Sequence, residues 1–114
     1  MRILTLLVLV SAVAAGRPAT KAESAAIKLV AMPACRAAEA KGNQQPCGWR
    51  GATVSTLQPR YAYGEAVAEG FGGVFVQKTG KRYRVVLELG ADKPPCTSFA
   101  ARYRAAVKDL ALCY

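Results

Sequence analysis

The sequence predicts an α+β domain: an N-terminal helix, a four-stranded antiparallel meander, a C-terminal helix and two disulfides. Three observations carry this. The stretch from Gly72 to Gly90 (GGVFVQKTGKRYRVVLELG) alternates apolar and polar residues around a turn, which is the period-two pattern of paired strands. The segments before and after the strand-rich middle repeat their apolar residues at helical spacing instead. Four cysteines, at positions 35, 47, 96 and 113, flank that middle as an even set.

The chain begins in the manner of an export signal. Met1-Arg2 is a positive lead, Ile3 to Val10 is apolar, and Val13 and Ala15 are small residues placed for cleavage before Gly16. The stretch is too short for a membrane anchor, because a span needs about 20 apolar residues. No cysteine stands at the cleavage point to carry a lipid. Residues 1–15 therefore read as a signal peptide and 16–114 as a single small domain, exported to the periplasm or beyond. Without Arg2 the 16 basic residues become 15 against 7 acidic ones, a net charge of +8. Such a surplus attracts polyanions, or it keeps a small exported protein soluble.

Each element follows from local chemistry. Gly16 to Thr20 reads as a flexible lead-in containing a proline. Thr20 and Glu23 have the spacing of a capping box, and the helix they start should cover Ala22 to Ala31, with Ala26, Ile27 and Val30 on its apolar stripe. Pro33 should end or kink it, with a second short helix over Ala34 to Lys41. Gly42 to Pro46 (GNQQP) breaks the pattern. Trp49 to Gln58 is rich in Thr, Val and Trp and reads as a strand stopped by Pro59. Arg60 to Ala68 alternates Tyr61, Tyr63 and Val67 with Ala62, Gly64, Ala66 and Ala68; the small-residue side could accept a helix at close range. Val74 to Gln77 and Arg82 to Leu89 form a hairpin, with Gly80 suited to a left-handed position in a three- or four-residue loop. Tyr83, Val85, Leu87 and Leu89 should share one face, with Arg82, Arg84, Val86 and Glu88 on the other. Thr97 or Ser98 should cap a final helix, Phe99 to Leu110, burying Phe99, Tyr103, Ala106, Val107 and Leu110. Short connections argue for a meander with both helices on one face.

Four cysteines allow three pairings. Cys35–Cys47 with Cys96–Cys113 is favoured, because each pair closes a local loop. A zinc site is not expected: no two cysteines are two residues apart, and exported thiols oxidise.

Catalytic chemistry is sparse. The chain has no histidine, which removes the usual neutral-pH base and the commonest metal ligand. Bridged cysteines leave no thiolate. Glu65 with Glu69, and Glu88 with Asp92, are the remaining carboxylate pairs, and they read more simply as flanks of turns. Gly70-Phe71-Gly72-Gly73 sits between strands, without the helix N-terminus of a phosphate loop, and Phe71 reads as a core plug. Arg-Tyr recurs at Arg60-Tyr61, Arg82-Tyr83-Arg84 and Arg102-Tyr103-Arg104. Basic residues beside aromatics suit single-stranded nucleic acid. Strand alternation would nevertheless bury Tyr83, the helix face claims Tyr103, and export removes most nucleic acid from reach.

From Trp49 onward the chain resembles small exported bacterial proteins of unknown function, through VSTLQPRYAYGEA (54–66), GKRYRVVLELG (80–90) and AAVKDLALC (105–113). The resemblance implies a strand meander and a cysteine-clamped terminal helix, and it brings no activity or ligand. The expectation is a non-enzymatic binding module of the envelope or extracellular space, without cofactor or metal. It would act through a loop or a basic sheet face bearing Lys78, Lys81, Arg82 and Arg84. Its partner would be an acidic protein, a lipid surface or a wall polymer. The rival readings are a secreted carboxylate-dependent hydrolase and a cationic membrane-active protein.

Overall fold

The computed structural model describes residues 16–39 and 46–114. The expected signal segment (1–15), the end of the expected second helix and residues 42–45 of the breaker loop lie outside the described residues. The elements are β1 (Arg17–Pro18), α1 (Lys21–Glu39), β2 (Gly48–Val54), β3 (Tyr61–Val67), β4 (Gly73–Thr79), β5 (Arg82–Leu89) and α2 (Ala101–Asp109), with a 3-10 turn at Cys96–Ser98. The strands form one antiparallel sheet in the order β1-β2-β3-β4-β5. The class is α+β, but with five strands where four were expected, and α1 follows the first of them. Arg17 and Pro18 pair with Val54 and Thr53. A proline fits there because an edge strand can lack a donor on its outer side.

The capping box forms. The Thr20 N–H donates to Glu23 Oε1 at 2.9 Å, and the Glu23 N–H donates to Thr20 Oγ1 at 3.2 Å. Arg17 forks onto the same carboxylate through two bonds of 2.9 Å. Those bonds, with the Thr20 N–H, pull the Glu23 carboxyl down to about 2. The helix does not break at Pro33 but runs through it. Proline removes only the bond to the Leu29 carbonyl. Leu29 is 76% exposed and Pro33 is exposed too, so water can satisfy the freed carbonyl.

The helices lie on opposite faces of the sheet, not on one. On β3 the small residues Ala62, Gly64 and Ala66 receive α1, which buries Ile27, Ala31 and Cys35 completely. A Cβ on Gly64 would stand 2.6 Å from Ile27 Cγ2 and 3.3 Å from the Ala31 Cβ. The other side of β3 presents Tyr61 to α2. Tyr61, Phe75 and Tyr103 form an aromatic trio with centroids 5.2 to 5.8 Å apart, packed with Phe99, Ala106, Val107 and Leu110.

The single apolar face expected on β5 is broken by a bulge. Phe75 stands opposite Leu87 while Val76 stands opposite Val85, leaving Val86 as the extra residue. Tyr83 and Val85 therefore pack toward α1, whereas Val86, Leu87 and Leu89 pack toward α2. Thr79 pairs with Arg82, so the hairpin loop is Gly80-Lys81, tighter than expected, with Gly80 at φ 67°.

Two further boundaries move. β2 ends at Val54, and the chain turns at 55–60 instead of continuing as strand to Gln58. Phe99 is extended, α2 begins at Ala101, and the Ser98 hydroxyl donates to the Pro95 carbonyl at 2.6 Å rather than capping the helix. Disulfides join Cys35 to Cys47 and Cys96 to Cys113. No helix among the described residues is long and apolar enough to cross a membrane. The two disulfides are compatible with an extracellular or periplasmic protein.

Candidate functional site

The site is set up by a clamp between the β2–β3 turn and α2. Asp109, the last residue of α2, accepts hydrogen bonds from the Ser55 hydroxyl at 2.9 Å, the Thr56 N–H at 2.7 Å and the Leu57 N–H at 3.4 Å. Burial works against the Asp109 carboxylate, but these donors outweigh it and hold its pKa below the ordinary aspartate range. Two residues before Arg60, the Gln58 carboxamide donates to the Arg102 carbonyl at 2.9 Å and accepts the Ala106 N–H at 2.8 Å. Those two backbone groups are a helical i, i+4 pair, so Gln58 straddles one rung of α2. The turn and the helix are thereby held in fixed register.

This clamp brings Arg60, from the turn, beside Arg102, on the first turn of α2. Arg84 arrives from β5. Tyr61, Gln77 and Arg84 are consecutive cross-strand partners on β3, β4 and β5, so their side chains share one face. Together the three arginines, Gln58, Pro59, Tyr61 and Gln77 line a concavity of about 450 Å³. Arg84 donates to Gln77 Oε1. The Arg102 guanidinium lies 5.3 Å from the centroid of the Tyr103 ring. No carboxylate lines the concavity, and the ion pair between Arg17 and Glu23 is remote from it. Three uncompensated guanidinium groups around one hollow form a receptor for an anion. Their planar forks match a carboxylate or a phosphate through paired N–H donors.

The four hairpin cations do not form the single patch expected of them. All four are exposed. Arg84 lines the concavity, and Arg82 shares its face outside the lining. Lys78 stands opposite Tyr83 and so belongs to the α1 side, while Lys81 sits in the loop. Pairing register divides them, because direct cross-strand neighbours share a face and chain neighbours do not. Arg60 and Arg102 were not singled out as site residues by sequence reasoning. Their signal was the Arg-Tyr recurrence: Tyr61 and Tyr103 turn inward to the aromatic trio, and the arginines beside them reach the rim.

The carboxylates go elsewhere. Glu65, Glu88 and Asp92 line a second cleft farther along β3. Glu69 lines a separate hollow with Trp49 and Arg50. Phe71 is buried, at 5% exposure. Comparison with protein-family models, with curated protein sequences and with solved structures finds no match.

Proposed function

We propose that this protein is an exported, non-enzymatic binding module that holds an acidic protein partner through the concavity formed by Arg60, Arg84 and Arg102. One observation carries the reading: three guanidinium groups from three different elements line one hollow that contains no carboxylate. A concave receptor suits a projecting carboxylate side chain better than it suits a flat lipid surface. The lack of histidine and the bridging of all four cysteines support binding over nucleophilic or general-base chemistry.

The test uses the oxidised protein recovered after export through its own leader, with poly-L-glutamate as the probe. Binding should weaken steeply with salt, since exposed charges are screened over about 3 Å at 1 M. Arg84→Glu with Arg102→Glu should weaken it about tenfold or more, whereas Arg82→Glu, outside the concavity, should change it little. Equal losses in both variants would mean that diffuse charge, not this site, does the binding. Binding to anionic vesicles that exceeds binding to poly-L-glutamate would favour a lipid surface as the partner.

A further inference from the structure

The same sheet face carries a second recess of opposite character. It has a volume of about 670 Å³ and lies between β3, β5, the 90–99 segment and the C-terminal tail. Apolar side chains including Leu87, Leu89, Phe99 and Leu112 form much of its lining. Binding sites for small ligands span about 300–1,000 Å³ and combine such lining with a few polar groups. The polar groups here are unusual for this chain. Only seven acidic residues stand against sixteen basic ones, yet Glu65 and Asp92 line this cleft, with Lys93 as its one lining cation; Glu88 borders it as well but stands opposite Val74, on the α1 side of the sheet.

The outer wall is built in advance. The Cys96 N–H donates to the Tyr114 carbonyl at 2.7 Å, and the Tyr114 N–H donates to the Pro94 carbonyl at 3.0 Å. The Cys96–Cys113 disulfide locks the same two strands of chain. The Tyr63 hydroxyl is fixed by donating to the Gly72 carbonyl. A wall so held loses little freedom when a ligand enters.

From this lining we infer that the cleft is a small-molecule site for an apolar ligand bearing one cationic group, an amine or a guanidine. The apolar body fills the space between Leu87, Leu89 and Phe99, and the cation meets Glu65 and Asp92. This site is independent of the arginine concavity and selects the opposite charge.

A matched series tests it: 4-phenylbutylamine, 4-phenylbutan-1-ol and 4-phenylbutanoate, each titrated into the oxidised protein with backbone amide NMR as the readout. Shifts should concentrate at Leu87 to Gly90, Phe99 and Leu112. The amine should bind about tenfold tighter than the alcohol, and the carboxylate weakest. Replacing the charges together, Glu65→Gln and Asp92→Asn, should bring the amine down to the level of the alcohol while the alcohol is unaffected. Absence of shifts at those amides with all three compounds overturns the site. Equal binding of amine and alcohol, or tightest binding of the carboxylate, overturns the charge selection.

Discussion

Glu23 shows how much one residue can organise. It closes the capping box of α1 and accepts the fork from Arg17, tying β1 to the start of the helix. Its carboxyl is held at about 2, below the roughly 4.3 of an unfolded glutamate. The native state therefore binds fewer protons than the unfolded state. Its contribution is complete above about pH 4.3 and is lost as pH falls toward 2. Asp109, also lowered, acts in the same direction. Urea midpoints measured from pH 7 down to pH 2 should fall across that window. Glu23→Gln, which keeps the capping geometry without the charge, should cost about 1 kcal/mol or less at pH 7, because exposed pairs are weak, and should flatten the fall. An unchanged slope in Glu23→Gln would show that the pair with Arg17 carries none of the acid sensitivity.

At the scale of elements, β3 decides the architecture. Its small residues admit α1 and its tyrosines meet α2, so one strand is complementary to two helices of different reach. Gly64 is the closest point, since any Cβ there meets Ile27 Cγ2 at 2.6 Å. Gly64→Ala should destabilise by about 1–3 kcal/mol through overpacking. Ile27→Ala, which removes that methyl, should cost less in the Gly64→Ala background than it does alone. Strict additivity in chemical unfolding of the two single variants and the double would show that the contact does not limit the packing. The alternation in this strand was legible in the sequence, down to the small side that accepts a helix. The placement of the second helix was not, because α2 is held by long-range bonds from Gln58 and Asp109 that leave no local signature.

Across the whole molecule, two disulfides brace a thin core. They close separations of 12 and 17 residues, and chain-entropy arithmetic assigns about 3 kcal/mol to each. Small domains have about 5–15 kcal/mol in all. Replacing Cys96 and Cys113 by serine should lower stability by about 2–4 kcal/mol and loosen the C-terminal tail, while removal of both bridges should leave the chain largely unfolded at 37 °C. Thermal unfolding with and without reductant checks this, and a doubly reduced protein that still melts cooperatively near the oxidised midpoint would contradict it. On the same scale, charge separates along one sheet face, with an arginine-lined hollow toward one end of β3 and a carboxylate-lined cleft toward the other. Net charge alone, at +9, conceals that division.

By itself the sequence determined what depends on neighbours in the chain: the α+β class, the Thr20–Glu23 cap, the β4–β5 hairpin and the apolar stripe of the last helix. Each rests on a period or spacing of a few residues, where local sterics and hydrogen bonding suffice. Tertiary structure alone decided the rest. It recruited Arg17 and Pro18 as an edge strand, carried α1 through Pro33 with its freed carbonyl toward water, and inserted the bulge at Val86. It also sent the helices to opposite faces and gathered Arg60, Arg84 and Arg102. These outcomes depend on which residues meet across the sheet, and cross-strand register and packing complementarity are properties of the folded chain, not of any stretch read alone.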